Sequence, residues 1–162
     1  MNWDNFVTYG DSYEEAFETL CNQLFERFLK RTYRDDLVKF RVVNGTGGDG
    51  GVEAYGELNS GDIIAVQAKS FRQVIDTNEV RQMRDSIETA MSLRPNIKEY
   101  YICVPRKVNS LKFGRGKKGA GKQPIENSEE KTIEEFTDEI ETKYGDLNIH
   151  WWLISKIKWF RY

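Results

Sequence analysis

Gln67 and Lys69 stand two apart in the segment Ile63 to Lys69 (IIAVQAK). On an extended strand both side chains leave one face, while Val66 and Ala68 leave the other. An amide and an ammonium are unexpected on a strand that opens with four apolar residues, because a buried polar group costs free energy unless something partners it. A strand end that opens onto a site would supply partners. Upstream, Asp49 lies among four glycines (Gly47-Gly48-Asp49-Gly50-Gly51), where the backbone can approach another group closely, and Glu53 follows two residues past the last glycine. The turn Asn59 to Asp62 (NSGD) folds the segment Val52 to Leu58 back on Ile63 to Lys69. Glu53 and Gln67 can then lie side by side, with Asp49 just beyond. Two carboxylates, an amide oxygen and an ammonium form a hard, oxygen-rich set of the kind magnesium or manganese takes when it also holds a phosphate. Such an ion polarises a phosphodiester and lowers the pKa of a bound water. Lys69 would orient the water or neutralise charge that develops on phosphorus-bound oxygens.

Each residue also has a plain reading. Asp49 can close an Asx-type turn, Glu53 can be a solvated strand residue, and Gln67 with Lys69 can be the outer face of an edge strand. Only the joint pattern favours chemistry.

The elements that must position these groups follow from periodicity. Ser12 to Lys30 carries Tyr13, Phe17, Leu20, Cys21, Leu24, Phe25 and Phe28 at helical spacing, with Asp11 or Ser12 as cap and Glu14 and Glu15 in the first turn. Leu37 to Val43, Val52 to Leu58 and Ile63 to Lys69 read as strands, the last as a central one covered on both faces. Thr77 to Leu93 reads as a second helix, Glu99 to Val104 as a buried strand, Ser128 to Tyr144 as a third helix and Asn148 to Ile154 as a last strand. The order α, β, β, β, α, β, α, β describes one mixed sheet flanked by helices in a single domain over residues 1–162. Between them, Lys107 to Asn127 reads as a long loop of glycines and lysines.

GGDGGVEAY (47–55) followed by IIAVQAKSF (63–71) resembles the Mrr branch of the PD-(D/E)XK nucleases, in which a glutamine replaces the middle acid of the motif. The resemblance covers about Tyr13 to Phe71 and extends beyond only by order of elements. It implies a restriction-endonuclease-like fold, magnesium or manganese as cofactor, and hydrolysis of duplex DNA. It also implies that Glu18, in Phe17-Glu18-Thr19-Leu20, lends a carboxylate from the first helix, with Glu14 the second choice. Many relatives carry aspartate where this chain has Glu53. Glu53 is favoured as the metal ligand, with Asp49 a second ligand or a brace for the loop. A double-strand break needs two such domains, so a homo-oligomer is implied. GGDGGVEAY is also similar to the N-terminal nuclease effectors of bacterial antiviral STAND NTPases. That likeness would suit the abrupt end at Phe160-Arg161-Tyr162, which points to a domain cut from a longer protein, a compact natural end being the alternative. The rival to an enzyme is a catalytically silent nucleic-acid-binding or interaction module on the same fold.

The basic loop offers Lys112, Arg115, Lys117, Lys118 and Lys122 for phosphate contact, against a solvated linker as the plain reading. Gly116 to Gln123 nearly matches a nucleotide-binding P-loop, but Gln123 stands where Ser or Thr must hold magnesium, Pro124 follows, and no strand leads directly into it. Arg72, Arg81 and Arg84 flank the site in sequence, with helix-surface charge the plainer reading for the last two. Trp151, Trp152, Trp159 and Phe160 divide between core and docking surface.

Net charge is −2, so any nucleic-acid contact must come from local charge and not from a global basic field. With His150 the sole histidine and no CxxC pair, a zinc site is excluded. Cys21 and Cys103 read as separate buried thiols in a reducing compartment. Neither an apolar signal segment nor a membrane span is visible, so a cytoplasmic protein is expected.

Overall fold

The computed structural model describes residues 10, 12–43, 50–108, 113–114, 123–124 and 129–153. Helix α1 (Tyr13–Thr32) leads into strands β1 (Leu37–Val42), β2 (Ala54–Leu58) and β3 (Ile63–Ala68). Helix α2 (Thr77–Leu93), β4 (Ile97–Val104), the short β5 (Phe113–Gly114) and β6 (Gln123–Pro124), α3 (Glu129–Tyr144) and β7 (Asn148–Leu153) complete the order. The main sheet runs β1-β2-β3-β4-β7. Its first three strands pair antiparallel, whereas β3, β4 and β7 are parallel. This is the mixed α/β sheet flanked by helices that the sequence predicts.

Parallel pairs need crossover connections, and α2 and α3 supply them. Both pack on one face of the sheet, over a core that includes Val52, Ile87, Tyr100, Phe136 and Ile140. Helix α1 covers the other face with Phe17, Cys21, Leu24, Phe25 and Leu29 against Ala54, Val66, Tyr101 and Trp152. Strand β3 lies between the two layers, pairs on both sides and is buried at every position, so the edge-strand reading fails for Gln67.

Helices α1 and α2 both start with a capping box, and Ser12 is one of the two caps the sequence offered for α1. The Ser12 side chain accepts from the Glu15 N–H, and Glu15 reaches back to the Ser12 N–H. Asp76 and Glu79 make the same reciprocal arrangement on α2. Two glycines are fixed by close approach. A Cβ at Gly56 would lie 2.6 Å from Leu29 Cδ1, so its absence lets α1 settle onto β2. Gly51 has φ +76° and would place a Cβ 1.9 Å from the Ser86 carbonyl oxygen. Gly50 and Gly51 therefore pack closely against α2.

That packing explains a difference from the sequence reading. β2 begins at Ala54, not Val52, because Gly51 and Val52 are committed to the α2 side, with the Tyr100 hydroxyl donating to the Gly51 carbonyl. The glycine and lysine segment expected to be structureless contains the β5–β6 ladder, Phe113 opposite Pro124 and Gly114 opposite Gln123. Among the described residues no helix is long and apolar enough to cross a membrane.

Candidate active site

Glu53 sits where three strands meet. Its N–H donates to the Val66 carbonyl (2.8 Å), and its carbonyl accepts from the Val43 N–H (2.7 Å). The hairpin register sets Ala54 opposite Val66, which brings the start of β2 to the end of β3. There the Gln67 Nε2 donates to Glu53 Oε1 at 2.5 Å. Glu53 is 9% exposed and Gln67 3%. A buried carboxylate is tolerated only with partners. Presenting its NH2 is how an amide shares a confined space with a carboxylate.

Lys69 lies one residue past β3 and is half-buried. Its N–H donates to the Cys103 carbonyl at 2.9 Å, so the backbone carrying the ammonium is tied to β4. The following segment is fixed as well. Phe71 packs into the α2 core, and the buried Ile75 donates its N–H to Glu129 Oε1 (2.9 Å).

Helix α1 contributes from the opposite face. Burial first, and then a hydrogen bond with Cys103, push the Cys21 thiol well above its ordinary pKa; the charges of Glu53 and Glu18 act in the same direction. Glu53 and Glu18 therefore both act electrostatically on one thiol. Glu18 is half-buried and Glu14 exposed. The two cysteines, read from sequence as separate, meet beneath these carboxylates as free thiols.

Asp49 lies outside the described residues, as do Lys112, Arg115, Lys117, Lys118 and Lys122, together with Trp159 and Phe160. Trp152 is core, and the Trp151 Nε1 donates to Thr137 Oγ1 (3.0 Å). Arg81 and Arg84 face α3, not the hairpin. They line a cleft between α2 and α3, where Arg84 makes a paired contact with Glu139 (2.7 and 3.0 Å). Arg72 rests over the Tyr13 ring, 4.4 Å from its centroid.

Sequence reasoning missed a buried ion pair. Arg106, just past β4, bonds to Glu129, which is 4% exposed at the start of α3 and also receives the Ile75 N–H. Nothing local in the sequence marks Glu129 for this pairing. Also missed was Glu99, whose carboxylate accepts from Tyr33 and Tyr101 (2.8 Å each) and faces His150 at 3.4 Å.

Among the described residues no group of three or more His, Cys, Asp and Glu side chains gathers closely enough to hold a metal. The donor set at the hairpin is smaller and of another kind, namely a carboxylate and an amide oxygen with Glu18 nearby. It suits magnesium, which keeps several waters and takes only one or two protein carboxylates.

Residues 15–94 match a family model described as a restriction endonuclease of the Mrr catalytic type. Over these residues the chain is similar to Mrr-like restriction endonuclease domains. The match runs from α1 through α2, so it spans Glu18, Asp49, Glu53, Gln67 and Lys69 and stops before the basic loop. No curated protein and no solved structure matches the chain. The matched segment contains the hairpin pair Glu53–Gln67 and the anchored Lys69.

Proposed function

We propose that this domain hydrolyses phosphodiester bonds of double-stranded DNA with magnesium or manganese. The observation that carries the proposal is the buried contact between Glu53 and Gln67, beside a lysine whose backbone is fixed to the neighbouring strand. Glu53 and the carbonyl oxygen of Gln67 would hold the ion, and Glu18 would support it from α1. When bound, the ion supplies a polarised phosphate and a water of lowered pKa. Lys69 holds a positive charge where the attacked phosphate gains negative charge. Burial of the pair keeps bulk water away and strengthens each of these interactions.

Glu53 is the better candidate than Asp49 for principal ligand. The residues that directly follow Asp49 are committed to α2. A Cβ at Gly50 would lie 3.0 Å from Leu93, and the Gly50 carbonyl accepts from Arg94. Asp49 acts as a brace for that loop or as a second ligand. The basic residues Lys112, Arg115, Lys117, Lys118 and Lys122 are assigned to phosphate contact, and a homo-oligomer to the double-strand break. The role of effector in antiviral defence is carried by the likeness of GGDGGVEAY to STAND-associated nucleases.

A plasmid-cleavage assay tests the reading. Supercoiled plasmid is converted to nicked and linear forms in magnesium and is untouched in EDTA. Lys69→Ala, folded by circular dichroism, loses at least about 100-fold in rate, the loss typical of removing one transition-state donor. Undiminished cleavage by that variant removes Lys69 from the site.

A further inference from the structure

We propose that Arg72 is a phosphate-binding residue for the DNA strand entering the site, held in place by Tyr13. This rests on the nuclease reading above and adds a substrate contact to it. Several cations elsewhere among the described residues are paired with carboxylates. Arg84 pairs with Glu139, Arg106 with Glu129, Lys98 with Asp146 and Lys143 with Glu88. Arg72 is held by an aromatic ring instead, as Arg94 is over Tyr55 on the α2 side, where its guanidinium also donates to the Gly50 carbonyl. The Arg72 guanidinium stacks on the Tyr13 ring, and among the described residues no carboxylate pairs with it. An aromatic face orients a guanidinium without cancelling its charge or occupying its N–H donors.

Location supports the same role. Arg72 is exposed three residues after Lys69, in a segment whose backbone is pinned at Lys69 by the Cys103 carbonyl and at Ile75 by Glu129. Tyr13 opens α1 one turn before Phe17 and Glu18, and it packs against the α1-side core. The stack therefore joins the helix that brings Glu18 to the segment that brings Lys69. It leaves an oriented fork of donors facing solvent beside both. Phosphate, with its bidentate oxygen geometry, is the ligand such a fork recognises.

The experiment measures binding apart from cleavage. A fluorescein-labelled DNA duplex is titrated with the intact chain in calcium, across a series of NaCl concentrations. Arg72→Ala is expected to bind about tenfold more weakly, with the slope of log affinity against log salt reduced by about one, the signature of one lost phosphate contact. Tyr13→Leu keeps the charge and the packing but removes the π face. It is expected to weaken binding while leaving the slope at its wild-type value, and Tyr13→Phe restores affinity. Wild-type affinity and slope in Arg72→Ala, alongside normal plasmid cleavage, overturn this proposal alone. Failure of the intact chain to bind duplex overturns it together with the nuclease reading. Wild-type affinity in Tyr13→Leu removes the positioning role of the ring.

Discussion

At the residue scale, the site is a problem in accommodating charge. Glu53 is nearly enclosed, and its carboxylate takes a hydrogen bond from Gln67. Glutamine is a neutral donor to that carboxylate, and on the proposed reading it is also a neutral ligand to a cation. The set then carries less negative charge than one with an acid at position 67. Glu53→Gln keeps the size and the hydrogen-bonding capacity but removes the charge that attracts the ion. It is expected to lower manganese affinity by at least about tenfold, since even partners outside a metal's immediate ligands are worth that much. Isothermal titration with MnCl2 measures it, and unchanged affinity would take Glu53 out of the metal set. The hairpin contact was legible because two strands and a tight turn fix which residues meet. The cysteine contact was not, because it depends on how α1 lies across β4, and no local pattern encodes that. The Arg106–Glu129 pair was hidden for the same reason, its partners being separated by the whole basic loop.

At the element scale, sequence periodicity located the elements that carry the site. α2 was read as Thr77 to Leu93, the span observed, with Arg94-Pro95-Asn96 ending it, and the structure adds the Asp76–Glu79 cap at its start. The start of β2 was read two residues early. Alternation continues back through Val52, but Gly50 and Gly51 pack against α2. That close approach is what the glycines were read to allow. Gly51→Ala must shift the Ser86 backbone and adopt a left-handed conformation, at a cost of about 2–4 kcal/mol. Urea unfolding should show a lower midpoint. Cleavage should fall as well, because Gly51 lies two residues before Glu53. A variant as stable as the wild type would show that the loop is not held in this way.

At the scale of the whole molecule, the ends of the sheet are divided between two tasks. The end where β2 starts and β3 stops holds Glu53, Gln67 and Lys69. At the other end, Glu99 gathers the hydroxyls of Tyr33 and Tyr101, tying the residue after α1 to β4. Burial, followed by the bond to Glu99, raises the Tyr33 phenol above its ordinary value of 10.0. A folded-state pKa raised above the unfolded one gives stability that is fully present below pH 10, the unfolded value of about 10, and is lost as pH rises toward the folded one. Alkaline destabilisation should therefore begin near pH 10, and Tyr33→Phe, which does not titrate there, should show a shallower loss in thermal melts between pH 9 and pH 11, a window bracketing the phenol's reference value of about 10. Identical slopes in the two proteins would rule out Tyr33 as a source of that loss. Mixed-sheet topology could be inferred from the sequence because a hairpin was followed by two strand–helix–strand units. Which helices share a face could not, since that is set by crossover geometry.

The most direct measurement of the central claim is a crystal structure of this chain soaked in manganese, with the ion located by its anomalous scattering. An ion with Glu53 and Gln67 oxygens at roughly 2.0–2.5 Å, as oxygen-ligated divalent ions require, is the predicted result. Full manganese occupancy elsewhere, with the Gln67 amide still donating to Glu53, would contradict it.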